Sequence, residues 1–536
     1  MSIRLLYSII LVLTFITFSR CNDKKNTPEQ NIKDSSAASI KDKSIPGNFS
    51  TQSRLTFDSL LVDAFIDSFP KFEKFRKDLD TFYRQRKFAY AWFDENGMIE
   101  PATNLYNRIQ HISAEGIPDK LPYKLEFKTV MESDGMLEPS STTELMLTAQ
   151  YLVYAKNVWG GLSEKQSLST DWYLPRRKTS TTELLDSLTA NSDIFENTQL
   201  YRQYGLLKDQ LKKLNDLQIM HPNWNIILTS KNKYELGDSA VAIEQIRQRL
   251  YLLADLPFND SSLVFDDVLR DGVENFQTRH GLVKDGVIGS QFISEINTSL
   301  DKRIEQVIVN MERSRWVPVR LSSNYIVVNI PEFKLHVYEH DSLAWNMNVV
   351  VGKDQHKTVI FNGEMKYIVF SPYWNIPSSI VKNETLPALR RNPNYLAQHN
   401  MEWNNGGIRQ KPGPDNSLGL VKFLFPNSHN IYLHDTPAKS LFKENNRAFS
   451  HGCIRLAEPK KLAEYLLQND TSWNEQKITE AMHSGVEKYV TLKQPVPVFI
   501  AYFTAWVDNQ GKLNFRKDVY DRDQRLAQLI LENPAI

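Results

Sequence analysis

The sequence predicts an α+β chain of several domains: a helical N-terminal scaffold, a small three-helix unit and a β-rich C-terminal domain. Three observations carry this. Apolar residues recur at intervals of three and four over much of the first 220 positions, the period of a helix face. A compact, glycine-punctuated unit follows at 232–300. After Trp316-Val317-Pro318 the apolar runs become short, β-branched and aromatic, cut by Pro331, Asp341 and Gly352 in the manner of strands. A length of 536 residues suits several domains, and 41% hydrophobic with 24% charged residues is a globular mixture.

Residues 1–21 read as an export signal, with Arg4 ahead of an apolar run from Leu5 to Phe18. That run is shorter than the roughly 20 residues a bilayer span needs; an uncleaved anchor is the alternative. Cys21 stands where a lipidated cysteine would stand, although Arg20 replaces the small residue such processing usually takes. Residues 22–53 are polar, without apolar periodicity, and read as a tether. The scaffold, 54–231, shows Phe72, Phe75, Leu79 and Phe82 on one helical face. A helix from Leu145 to Val158 stops at Gly160-Gly161, and another carries Leu207, Leu211 and Leu214. No catalytic grouping stands out there. The unit at 232–300 places Ile243, Ile246 and Leu250 on one helix and Phe292, Ile293 and Ile296 on another, around turns at His280-Gly281 and Asp285-Gly286. A linker helix is expected over 301–322 and the β-rich domain over 323–500. An inserted cap at about 380–430 contains Gly406-Gly407 and Pro412-Gly413-Pro414, and 501–536 reads as a C-terminal extension.

Charge argues against one class of partner. Lys plus Arg total 64 against 63 acidic residues, a net charge of +1, without the basic excess of a nucleic-acid binder. The two cysteines are Cys21 and Cys453. With Cys21 lipidated or removed, Cys453 is an unpaired thiol in an exported protein, and either a nucleophile or a small buried hydrophobe.

The chemistry gathers at 431–456. An apolar run, Ile431-Tyr432-Leu433, delivers His434 to a strand end, and Ser450-His451-Gly452-Cys453-Ile454-Arg455 forms a turn 19 positions on. A thiol needs thiolate character to attack an amide, and an imidazole can take its proton. Gly452 permits a sharp turn that offers backbone amides to an oxyanion. Period-2 alternation puts Arg455 on the same side as the sulfur, where it could hold a carboxylate of the substrate or of the protein. His451 reads as a neighbour that adjusts the field, and Ser450 as either a turn hydroxyl or a substrate contact. His434, His451, Cys453 and Asp435 also have the ligand types of a zinc site. Two of them lie two positions apart around a glycine, however, with no second cysteine to complete the set.

This block resembles the signature of the YkuD-type L,D-transpeptidases. Trp374-Asn375-Ile376-Pro377, Gly413-Pro414 with Asn416-Ser417-Leu418-Gly419, and Lys422-Phe423 with Phe425-Pro426-Asn427 resemble that family's large Gram-negative branch. The set Phe276-Gln277, Arg279-His280-Gly281-Leu282, Asp285-Gly286 and Ile288-Gly289 resembles the small peptidoglycan-binding module found on wall enzymes. The resemblance implies Cys453 as nucleophile, His434 as proton donor and acceptor, no metal or other cofactor, and peptidoglycan stem peptides as substrate. It also implies 3→3 cross-linking with release of D-Ala, inhibition by carbapenems, and a periplasmic location with the membrane met only through the N-terminal anchor. Hydrolysis by the same site, attachment of a protein to the wall, and a non-catalytic wall-binding lipoprotein are the competing functions.

Overall fold

The computed structural model describes residues 53–133, 138–176, 201–317, 324–340 and 342–532. The expected signal segment with Cys21, and the tether up to residue 52, lie outside them. Among the described residues no helix is long and apolar enough to cross a membrane.

The N-terminal region is helical, as its periodicity predicts. Phe72 and Phe75 lie on a 3₁₀ turn, Pro70–Phe75, that runs into the helix Arg76–Gln85 carrying Leu79 and Phe82. All four are buried in one core with α1, Ser141–Ala155, and α2, Arg202–Met220. Three helices, Val241–Leu252, Asp267–Arg279 and Ser290–Ile296, enclose a separate small core around Ile243, Phe276 and Phe292.

The segment expected as a linker helix does more than link. α3, Leu300–Trp316, buries Leu300, Val307 and Met311 in the helical core and Val309 and Trp316 in the core of the β domain. Its Arg315 pairs with Glu312 at 2.7 Å and donates to the Val158 carbonyl at 3.0 Å, while the Trp316 indole N–H donates to Glu312 at 2.9 Å. The C-terminal segment is likewise integrated. The hairpin Ala505–Val507 and Leu513–Phe515 lies in the helical core, and the helix Arg522–Glu532 places Leu526 and Ile530 in the β core.

The β-rich region is built on nine strands: β1 Asn324–Asn329, β2 Lys334–Glu339, β3 Ser342–Gly352, β4 Phe361–Phe370, β5 Val421–Leu424, β6 Leu433–His434, β7 Ala448–Ser450, β8 Ile454–Leu456 and β9 Lys488–Ala501. Their order is β7-β3-β8-β6-β5-β4-β9-β1-β2, and β2 also pairs with β3, so the sheet closes on itself. β6 and β8 run parallel within a mostly antiparallel sheet. Alternation along each strand sends Val349, Val351, Ile368, Phe370, Val421, Phe423, Leu433, Ile454 and Leu456 into the core. The intervening residues form the opposite face.

A lobe of 371–420 is inserted between β4 and β5 and contains a three-stranded sheet of Trp374–Asn375, Gly407–Gln410 and Met401–Asn404. The Ser371 N–H donates to the Leu420 carbonyl at 2.9 Å, so the lobe leaves and re-enters the sheet at one point. The cap boundary expected near residue 430 therefore falls too late: 421–424 is a central strand, and 425–431 is a loop of the β domain.

Candidate active site

Register places the site. In the parallel pair Leu433 stands beside Ile454 and His434 beside Arg455. Cys453 precedes Arg455 by two positions and Tyr432 precedes His434 by two, so all four side chains share the face opposite the core. Cys453 stands in the turn that enters β8, which sets the thiol diagonal to the imidazole across the β6–β8 pair.

His434 is buried, and its Nδ1 lies within hydrogen-bond distance of the Asp435 carbonyl oxygen. A carbonyl only accepts, so Nδ1 carries the proton and Nε2 keeps its lone pair. Burial, reinforced by the Arg455 guanidinium, pushes its pKa down to about 3 against the pull of the Asp435 carbonyl; Lys422 and Lys439 add to the depression. Cys453 is half-buried, and its sulfur reaches the Asn430 carbonyl at 3.8 Å. Burial raises the thiol pKa, opposed by hydrogen bonds from the Tyr432 backbone and side chain and by the charge of Arg455. The resting pair is therefore a neutral thiol and a neutral imidazole.

The turn before the sulfur is tightly held. Gly452 has φ +112°, a conformation that favours glycine. Thr358 Oγ1 accepts from the Gly352 N–H at 2.9 Å and donates to the Gly452 carbonyl at 2.9 Å. Gly352 sits against this turn: a Cβ there would lie 2.0 Å from the His356 carbonyl oxygen and 3.1 Å from the Gly452 Cα. Two sequence expectations change here. The Gly452 N–H donates to Ser450 Oγ at 3.1 Å, which removes it as an oxyanion donor. Ser450 is buried, and its hydroxyl donates to the Cys453 carbonyl, so it shapes the turn rather than meeting substrate.

His451 points elsewhere. Its Nε2 is 3.3 Å from Glu384 on the inserted lobe, and its ring lies 5.1 Å from that of His356. Arg455 Nε is buried without a hydrogen-bond partner, and the ion pairs of the described residues include none to Arg455, so it holds no carboxylate of the protein there. Asp435 faces away from the sulfur: it pairs with Lys439 and accepts the Leu420 N–H at 2.9 Å. Gly419, at φ +61°, makes room for it, since a Cβ there would meet the Asp435 carboxyl at 2.4 Å. Among the described residues no group of three or more His, Cys, Asp or Glu side chains is placed to hold a metal ion.

Two residues escaped the sequence reading. Tyr432 contacts the sulfur, and alternation from His434 was enough to place it on the same face. Lys422 pairs in register with His434 from β5, but assigning it needed that short strand to be recognised. Beside the sulfur, Tyr367, Leu424, Phe425, Asn430, Tyr432 and Tyr489 line a cavity of about 330 Å³. Asn427 shapes its loop, accepting the His429 N–H at 3.0 Å and donating to the Ile431 carbonyl at 2.8 Å.

Comparison with known proteins agrees with this geometry. Residues 323–496 match the family model of the YkuD L,D-transpeptidase catalytic domain. The chain carries that domain. Residues 77–211 match a model described as a scaffold domain. A Haemophilus influenzae protein named provisionally as an L,D-transpeptidase is 33% identical over 258 residues, covering 44% of this chain and 52% of that one. The chain thus spans about half the length of the curated relative. An L,D-transpeptidase structure from Stackebrandtia nassauensis is 13% identical with a TM-score of 0.22, over 51% of this chain and 97% of that one. One from Mycobacterium smegmatis is 14% identical with a TM-score of 0.20, over 33% and 58%. Overlaps this loose add nothing about the site. In the L,D-transpeptidase domain, both Cys453 and His434 fall within the matched span.

Proposed function

We propose that the chain is a peptidoglycan L,D-transpeptidase working through a thioester on Cys453. The observation that carries this is the diagonal placement of Cys453 and His434 on one face of a parallel strand pair, with His434 Nε2 left free. The sulfur attacks the carbonyl between the third residue and the D-Ala of a tetrapeptide stem as Nε2 takes the thiol proton. On this reading the Cys453 N–H, with the Tyr432 side chain beside the sulfur, serves the developing oxyanion. His434 then protonates the leaving amine. The side-chain amine of a neighbouring stem attacks the thioester, giving a 3→3 cross-link, and the inserted lobe limits competition from water. Arg455 holds a carboxylate of the acyl residue through its planar fork.

Incubation with purified tetrapeptide muropeptides and mass analysis tests this. Dimers lacking one D-Ala support it; tripeptides alone point to hydrolysis, and intact tetrapeptides sink it. Cys453→Ala is expected to abolish the reaction with the fold intact. A carbapenem, a strained amide, is expected to leave one adduct on Cys453, formed much more slowly in His434→Ala. We also propose export and anchoring through Cys21; labelled palmitate entering the parent chain but not Cys21→Ser is the expected result.

A further inference from the structure

Across the catalytic face the register sets three side chains abreast: Lys422 on β5, His434 on β6 and Arg455 on β8. Adjacent strands lie about 4.8 Å apart, so the base stands between two cations. Lys422 is only 9% exposed, yet its ammonium has long contacts alone: 3.5 Å to the Tyr373 carbonyl oxygen, 3.8 Å to Glu487 Oε1 and 5.9 Å to the centre of the Tyr489 ring. That same carboxylate oxygen already accepts the Tyr373 N–H at 2.9 Å. Buried cations are normally paired closely, because leaving water is costly. On this face neither Lys422 nor Arg455 is, and the deficit is one of negative charge.

We propose that Lys422 binds the terminal carboxylate of the residue that leaves, and so selects stems that end one residue after the scissile bond. This rests on the reading of Cys453 and His434 as nucleophile and base. The order of events follows the order of strands. The carbon–sulfur bond forms at β8, and the carbon–nitrogen bond breaks as the leaving amine takes the thiol's proton from His434 on β6. The products are a thioester and a free amino acid. Continuing in the same direction, the leaving residue brings its carboxylate, two bonds beyond the nitrogen, towards β5 and Lys422. Arg455 lies on β8 two residues after the nucleophile, on the acyl side of the broken bond, and is left for a carboxylate that stays with the enzyme. A stem one residue longer would offer Lys422 a neutral amide in place of a charge.

Two donors read this out in the full chain: a tetrapeptide stem ending in free D-Ala, and the same stem ending in D-Ala carboxamide. Release of D-Ala or its amide is followed by mass spectrometry as kcat/KM. The parent chain is expected to favour the free acid roughly tenfold to a hundredfold, the scale of one charge-assisted hydrogen bond. Lys422→Met should bring the free acid down to the level of the carboxamide, and Lys422→Arg should keep most of the preference. Equal use of both donors by the parent overturns the assignment of Lys422 alone, as does a preference that survives in a folded Lys422→Met. No release from either donor by the parent chain defeats the reading of the site itself, and this proposal with it.

Discussion

At the residue scale, the site is an uncharged pair held ready by burial. His434 has a folded pKa of about 3, below the 6.5 of an ordinary histidine. Between those values the unfolded chain binds a proton that the folded chain refuses, so stability is complete above pH 6.5 and falls as pH drops towards 3. At pH 5 the loss due to His434 is about 2 kcal/mol. Denaturant midpoints measured from pH 7 to 4 should therefore fall less steeply in His434→Asn than in the parent. Cys453 gives the complementary titration. Its thiol lies above the ordinary cysteine range, so alkylation of the resting protein should be slow at neutral pH and rise through a midpoint above that of a free thiol. A midpoint below neutrality would mean a standing thiolate–imidazolium pair. Cys453 and His434 were legible in the sequence as candidate nucleophile and base because their spacing and the turn glycine are local features. The engagement of Gly452 by Ser450 was not, since it depends on how the turn folds in three dimensions.

At the scale of elements, the turn before Cys453 is positioned by contacts between segments distant in sequence. Thr358, on the connection from β3 to β4, bridges Gly352 and Gly452, and Gly352 leaves no space for a side chain. Gly352→Ala should push the His356 carbonyl and the turn apart, costing on the order of 1–3 kcal/mol and lowering the acylation rate more than substrate binding. Single-turnover acylation by a carbapenem separates the two; an unchanged rate would show that the turn does not depend on this packing. The runs cut by Pro331, Asp341 and Gly352 were readable as strands because each has several β-branched or aromatic residues between breakers. β5 was not. Val421-Lys422-Phe423 is short, holds a lysine on its catalytic side, and runs directly into Leu424-Phe425-Pro426, so its strand character appears only once β4 and β6 flank it.

At the scale of the whole molecule, α3 and the C-terminal segment join the helical and β regions. The Arg315–Glu312 pair is buried where those regions meet, and breaking such a pair by removing one partner costs about 3–5 kcal/mol. Arg315→Met should therefore lower the melting temperature of scaffold and catalytic domain together, in one transition followed by calorimetry. Two separate transitions in the parent would argue against this coupling. Sequence periodicity found α3 but could not show that its two faces serve different cores. The closed sheet has a further consequence. A slip of one residue between β6 and β8 would turn either His434 or Cys453 into the apolar interior and split the pair across the sheet. The thiol and its base thus face outward together only when β6 and β8, joined by the connection that contains β7, have met in the right register. A newly made chain carries its chemistry with the safety on, and completing the fold is what releases it.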